Sequence, residues 1–154
     1  MSTGNSNKIE ITIGIPVYNG EKFISEKISS IFNLNYDNFE LVISDNGSTD
    51  LTKKICEEFA SRDDRIRFFS QEENLGPNWN FDFILKKAKG VYFMWTAVDD
   101  KILPGFIEKN ISILEKNDGV VCSISQVKPY GEKTEFLLQK QTTGFFRKLK
   151  KKII

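Results

Sequence analysis

Two adjacent carboxylates, Asp99 and Asp100, stand just beyond the most apolar run of the chain, residues 91–96 (VYFMWT). Ionised carboxylates beside a buried strand need a compensating partner, because an unpaired charge is costly to desolvate. A hard divalent cation is such a partner, and the phosphates of a bound substrate complete its oxygen shell. Other polar side chains occupy equivalent positions after shorter apolar runs: Tyr18 and Asn19, then Asp45, Asn46 and Asp50, then Asn74 with Gly76. This is carboxylate and amide chemistry, suited to a nucleoside diphosphate.

The chain has no histidine, which excludes the Ser-His-Asp triad, the Cys-His pair and every imidazole metal site. Cys56 and Cys122 form no CxxC pattern, so neither a zinc site nor a dithiol redox motif is indicated. Both are expected to be buried free thiols in a reducing cytoplasm.

The elements that must position these residues follow from periodicity. Ile9, Ile11, Ile13 and Ile15 alternate with polar or small residues, the signature of a strand that Pro16 ends. Phe23, Ile24, Ile28, Ile31 and Phe32 then recur at helical spacing behind Asn19, the expected N-cap, and the helix should stop before residues 35–38. Residues 39–44 (FELVIS) suit a buried parallel strand. Leu51, Ile55 and Phe59 line a second helix, with Thr49 and Asp50 expected to cap it.

Residues 65–70 form a third strand, and Phe81, Ile84, Leu85 and Ala88 mark a third helix with Gly90 as its expected C-terminal cap. Residues 91–96 form the fourth strand, Ile107, Ile111 and Leu114 a helix beginning near Pro104, and residues 119–127 a fifth strand. The order βαβαβαβαβ predicts an α/β fold, a mostly parallel sheet flanked by helices. In such sheets ligands bind beyond the carboxyl ends of the strands, where the polar residues above fall. Phe81, Phe83, Phe93 and Trp95 read as core; Trp79, after Gly76 and Pro77, is expected to border the ligand pocket. Asn80 beside it is a candidate to hydrogen-bond either the ligand or the preceding loop.

At 154 residues a single domain is the default. Its charge is divided: residues 1–127 carry 14 basic and 19 acidic groups, net −5, and residues 128–154 carry 8 and 2, net +6. An acidic body argues against nucleic-acid binding. No apolar run is long enough to span a bilayer, and residues 1–8 are polar and expected to be disordered. Residues 128–154 read as a basic tail or the truncated start of an acceptor region, ending in TTGFFRKLKKKII, which has the composition of a segment lying on a membrane surface or of a solvated or truncated end. No GxGxxG follows the first strand, and no GxxxxGKS or GxxxxGKT occurs, which removes dinucleotide oxidoreductases and phosphate-loop NTPases. A nucleotidyltransferase would need a glycine-rich, arginine-containing loop that is also missing.

Taken together, residues 13–19 (IGIPVYN), 41–50 (LVISDNGSTD), 74–76 (NLG) and 95–100 (WTAVDD) resemble the nucleotide-binding half of family 2 glycosyltransferases of GT-A fold, a Rossmann-like arrangement, over residues 9–127. The resemblance implies that Pro16, Tyr18 and Asn19 wrap the nucleoside of the donor and that Asp45 hydrogen-bonds the uracil ring. Asn46 stands where many relatives carry a second aspartate; Asn74, Gly76 and Asn80 fall on the same donor-binding side. Asp99 matches the carboxylate that binds Mn²⁺ or Mg²⁺ on the diphosphate, with Asp100 as neighbour or substitute. Ala97 occupies the first position of the usual Asp-x-Asp signature, so a ribose contact must come from elsewhere.

The implied activity is transfer of a sugar from a nucleotide-diphosphate donor, UDP-sugar by the match at Asp45, to a glycan or lipid-linked acceptor. That places the chain in polysaccharide biosynthesis in the cytoplasm, at the inner face of the membrane. In such enzymes the general base lies well downstream of the acidic pair, whereas the last 27 residues contain only Glu132 and Glu135 as acids. No base is assigned. Either the chain is a piece of a longer transferase, or it binds donor without transferring it, or a partner supplies the acceptor half.

Overall fold

Three alternate isoleucines of the first strand, Ile11, Ile13 and Ile15, are fully buried, and that burial makes the strand the centre of the molecule. The structure is a computed structural model that describes residues 9–125 and the strand Gly144–Lys148. The expected disordered stretch 1–8 and the rest of the basic tail lie outside the described residues. Strands β1 (Ile11–Val17), β2 (Phe39–Asp45), β3 (Ile66–Ser70) and β4 (Tyr92–Trp95) alternate with helices α1 (Ile24–Phe32), α2 (Thr52–Ala60), α3 (Pro77–Lys87) and α4 (Phe106–Lys116), followed by β5 (Cys122–Ser125) and β6 (Gly144–Lys148).

The sheet order is β3-β2-β1-β4-β6-β5. β1 pairs in parallel with β2 and β4, and β2 in parallel with β3. The isoleucines share one face with Leu41, Ile43, Tyr92 and Met94 in the larger core, which also takes Ile24, Ile28 and Ile31 of α1, Cys56 of α2 and Ile107, Ile111 and Leu114 of α4. The opposite face holds a smaller cluster of Val42, Phe93 and Ile84 of α3, with Leu85 and Trp95 against it. Helices therefore cover both faces, as the alternation of elements requires.

Several expectations shift. Asn19 does not cap α1: it adopts a left-handed backbone with φ 51°, and the helix begins at Ile24 after the carbonyl of Gly20 accepts the Phe23 and Ile24 N–H groups. Asp50, but not Thr49, holds the first turn of α2, accepting from the Thr52 N–H at 2.9 Å. Of the strand expected over 119–127, residues 126–127 lie outside the described residues, and the described part is β5, which does not pair with β4. β6 is inserted between them, antiparallel to both, so Gly144–Lys148, read from sequence as part of a basic tail, is an interior strand of the sheet.

Gly90 is not the cap of α3, which ends at Lys87 with Ala88 as its C-cap. It is where the chain entering β4 crosses closest to β1: a Cβ there would lie 2.5 Å from Thr12 N, 2.7 Å from Ile11 C and 2.8 Å from Tyr92 O. Its N–H donates to Thr12 Oγ1 at 2.9 Å. Thr12 in turn donates to Glu40 Oε1, whose carboxylate also accepts from the Lys89 N–H and from Arg67 Nη1. This buried carboxylate is fully satisfied and locks β1, β2 and the entry to β4 together at the end of the sheet opposite the acidic pair.

Because backbone surrounds that Cβ on three sides, Gly90→Ala is expected to lower stability by about 2–3 kcal/mol in urea titration. Gly119→Ala, where nothing lies within 4 Å of the added atom, should change it by less than about 0.5 kcal/mol. Equal midpoints for the two variants would contradict the close crossing.

Candidate functional site

At the carboxyl ends of the strands the loops are bonded to one another more than to their own elements. Asn19 N–H donates to Ser48 Oγ at 2.8 Å, and Asn19 Oδ1 accepts from Thr49 N–H at 2.9 Å. Gly20 N–H donates to Thr52 Oγ1 at 2.8 Å, Glu21 N–H to Asp50 Oδ2 at 3.1 Å, and Leu51 N–H to Glu21 Oε2 at 3.0 Å. Residues 19–21 and 48–52 are thus one laced unit. Burial works against the charge of Asp50, but the hydrogen bonds from Thr52 and Glu21 outweigh it and hold its carboxyl below the usual range.

The next loop is fastened to this unit by a single side chain. Asn46 Nδ2 donates to Asn74 Oδ1 at 2.9 Å and to the Gly76 carbonyl at 3.2 Å, while its Oδ1 accepts from Leu75 N–H at 3.1 Å. Gly47 permits the approach. It has φ 74°, and a Cβ there would sit 2.6 Å from the backbone of Glu73. An amide suits position 46 because it must donate to two oxygens and accept from one N–H, which a carboxylate cannot do.

These loops border an open cavity of about 290 Å³ lined by Pro16, Val17, Tyr18, Asn46, Asn74, Pro77, Asn80 and Phe81. Of the residues read from sequence, Pro16, Tyr18, Asn46, Asn74 and Asn80 meet there. Asn19 and Gly76 shape its loops and do not line it. Phe81, expected in the core, is 43% exposed and lines the cavity, whereas Trp79, expected at the pocket, stacks on Phe83 at 5.0 Å between ring centroids. Asn46 and Asn74 are committed to each other, so they build the wall.

Two buried oxygens remain without hydrogen-bond partners among the described residues: Asp45 Oδ2 and Asn80 Oδ1. Asp45 closes β2 fully buried, with its Oδ1 accepting from the backbone and hydroxyl of Ser48. Asn80 Nδ2 donates to the Ser44 carbonyl at 3.0 Å, which aims its Oδ1 away from β2. A buried acceptor without a donor costs about 1–3 kcal/mol; Asn80 lines the cavity, whereas Asp45, fully buried, does not.

Asp99 and Asp100 are exposed beyond β4. Asp100 folds the loop back on itself, accepting from Ala97 N–H at 3.2 Å through Oδ2 and donating its own N–H to the Ala97 carbonyl. The described residues contain no cluster of three or more His, Cys, Asp or Glu side chains fit to hold a metal alone. The donor set fits a cation shared with a diphosphate, for which one or two carboxylates suffice.

One residue of this region escaped sequence reading. Lys27 of α1 is 2% exposed; its Nζ donates to Thr96 Oγ1 at 2.5 Å and to the Asp100 carbonyl at 2.8 Å. Burial lowers its pKa to about 8 against the opposing pull of the Asp100 and Asp99 charges. The signal was present: Ile24, Lys27, Ile28 and Ile31 share one helical face, so a lysine interrupts an otherwise apolar stripe.

Comparison with known proteins bears on this geometry. A family model described as Glycosyl transferase family 2 matches residues 12–153. An uncharacterized glycosyltransferase of Haemophilus influenzae is 37% identical over 123 residues, covering 80% of this chain and 38% of that protein. Glycosyltransferase GlyG of Streptococcus pneumoniae is 31% identical over 111 residues, 72% of this chain and 37% of the relative. The chain thus spans well under half the length of these relatives.

Among solved structures, a mannosyltransferase from Pyrobaculum calidifontis in complex with GDP-Man and Mn²⁺ superposes with a TM-score of 0.70 at 23% identity, over 78% of this chain and 36% of that one. The S. aureus TarS 1-349 complex with UDP-GlcNAc gives 0.68 at 24%, over 80% and 35%. At such identities the superpositions establish a shared fold, the GT-A glycosyltransferase fold.

The bonding of Asn46 makes a direct prediction. Asn46→Asp replaces two donated hydrogen bonds with repulsion between oxygens, and stability at pH 7 should fall by about 2–3 kcal/mol in urea titration. The introduced carboxyl has a raised pKa in the folded state, so the loss is full above that value and shrinks as the pH falls toward the unfolded-state value, where the protonated acid donates again. A pH-independent loss would contradict the assignment of donors.

Proposed function

The chain belongs to glycosyl transferase family 2, and from that premise we propose that residues 9–125 form the donor-binding part of a glycosyltransferase that uses a uridine-diphosphate sugar. The observation that carries the proposal is the pair of unpartnered buried acceptors, Asp45 Oδ2 and Asn80 Oδ1, at the carboxyl ends of a parallel sheet. A carboxylate oxygen selects a base that presents a ring N–H, as uracil does at N3, and rejects cytosine, whose N3 is itself an acceptor.

The residues then divide by role. Asp45 accepts the base N–H, and Asn80 offers the second acceptor within the cavity. Pro16, Val17 and Phe81 supply apolar walls, and the exposed ring of Tyr18 offers a face on which the base stacks. Asn46 and Asn74 keep the wall in register, and Asn19 and Gly76 keep its loops in shape. Asp99 and Asp100 would hold a Mn²⁺ or Mg²⁺ ion, which neutralises charge on the leaving diphosphate. The carboxylate that takes the acceptor's proton is assigned to the part of the longer relatives that this chain does not span.

The acceptor is proposed to be a glycan or lipid-linked glycan in a polysaccharide pathway, on the support of the family alone. No helix among the described residues is long and apolar enough to cross a membrane. Lys150, Lys151 and Lys152, which follow β6 in the sequence, support peripheral contact with an anionic leaflet on the cytoplasmic side.

Calorimetric titration tests the reading. UDP and UDP-sugars should bind the chain more tightly with Mn²⁺ than with EDTA, and CDP should bind at least about tenfold more weakly than UDP. Asp45→Asn should weaken UDP by about 10- to 100-fold, the scale of one charge-assisted hydrogen bond, and Asp99→Ala should remove the Mn²⁺-dependent increment. A folded chain that binds no nucleotide would overturn the proposal.

A further inference from the structure

The lysine buried beneath the acidic pair has no part in the roles assigned above. α1 otherwise presents Ile24, Ile28 and Ile31 to the core, and an apolar residue at position 27 would continue that stripe. An ammonium there gives up its hydration, so it must be matched by fixed acceptors. Two are present. Thr96 Oγ1, itself in a residue 4% exposed, lies 2.5 Å from Nζ, and the Asp100 carbonyl lies 2.8 Å away.

Those two acceptors bracket the loop that carries the acidic pair. Thr96 is anchored to the sheet by its N–H, which donates to the Gly14 carbonyl at 2.9 Å. Asp100 closes the turn onto Ala97 through its side chain and its N–H. The ammonium spans from the fixed end of the loop to its far end, and it does so from α1, an element whose buried face joins the larger core and which belongs to neither strand nor loop. Backbone bonding within residues 97–100 curls the loop, and Lys27 ties that curl to the body of the protein.

We propose that Lys27 is a positioning residue for donor binding. From beneath, it pins residues 96–100 in the shape that presents Asp99 and Asp100 at the rim, so that a cation and diphosphate meet a preformed site. The inference rests on the donor-binding reading above. Its charge also offsets the repulsion between neighbouring carboxylates before a cation arrives. A positional role and a purely electrostatic one differ in sign. If the ammonium acted only as a competing positive charge, its removal would tighten binding of a divalent cation; if it holds the loop, removal weakens it.

The test uses the full chain and Lys27→Met, which keeps length and removes the charge and donors. Mn²⁺ binding in the presence of UDP is read from the electron paramagnetic resonance of free Mn²⁺, UDP binding in EDTA by calorimetry, and protection of the 97–101 amides by hydrogen exchange. The expected result is a loss of about 10- to 100-fold in Mn²⁺ affinity, the range found when a group supporting metal ligands is removed. UDP affinity in EDTA should be unchanged and exchange at 97–101 faster.

A merely structural lysine would lower the melting temperature without separating the two affinities. Unchanged or tighter Mn²⁺ binding by a folded Lys27→Met, with exchange at 97–101 as in the parent, overturns the proposal. If Lys27→Met does not fold, Thr96→Val removes one of the two bonds and is read in the same way. If the parent chain binds no nucleotide, the donor-binding reading fails, and exchange at 97–101 alone then decides whether Lys27 holds the loop.

Discussion

Parallel pairing of β1 with β2 on one side and β4 on the other is the constraint on which the rest depends. Both faces of these strands are buried under helices, so their polar neighbours have no place except beyond the strand ends. Register then does the gathering: Pro16 lies opposite Ser44, Val17 opposite Asp45, and Gly14 opposite Trp95. The loops that leave β1, β2 and β4 must emerge on one rim. At the other end the Glu40 carboxylate, with Thr12, Arg67 and the Lys89 amide, holds the same strands in that register.

The rim is built from groups that satisfy one another, which leaves few free to act. Asn19, Ser48, Asp50 and Thr52 bind loop to loop, and Asn46 binds Asn74 and Gly76. Such mutual bonding fixes the geometry before any ligand arrives, so ordering costs little when one binds. Against this background two unsatisfied oxygens, Asp45 Oδ2 and Asn80 Oδ1, are the exceptions among the described residues, and the proposed function accounts for them as acceptors for a ligand's donors.

The parallel core was legible in the sequence because burial on both faces writes apolar runs, as in FELVIS and VYFMWT, and these gave β2 and β4 to within a residue or two. Positions set by long-range approach were not legible. Gly90 reads as a helix cap until its contact with Thr12 is seen, and Asn19 reads as a cap until its partner proves to be the loop after β2, some 30 residues away. Lys27 was hidden for the opposite reason, since a lysine is normally solvated and only its place on the stripe of Ile24, Ile28 and Ile31 marks it. β6 left no period-2 trace because it spans only five residues, GFFRK, and runs into the basic stretch LKKK. Asp45, Asn46, Asn74 and Asn80 were legible as a set, but which of them bonds to its neighbours and which stays open depends on atoms, not on residue types.

The placement of β6 bears on how the chain comes to be folded. β4 ends at Trp95, and the strand that covers its outer edge begins at Gly144, so about fifty residues separate an edge from its cover. On a ribosome adding about 5–20 residues per second, β4 waits several seconds with an open row of N–H and C=O groups along its most apolar stretch. β5 emerges earlier than β6 yet has no seat in the sheet until β6 arrives, because β6 is its neighbour. An uncovered edge of this kind is a template for pairing with a second chain. The interval before β6 docks is therefore the period in which nascent copies are most exposed to aggregation.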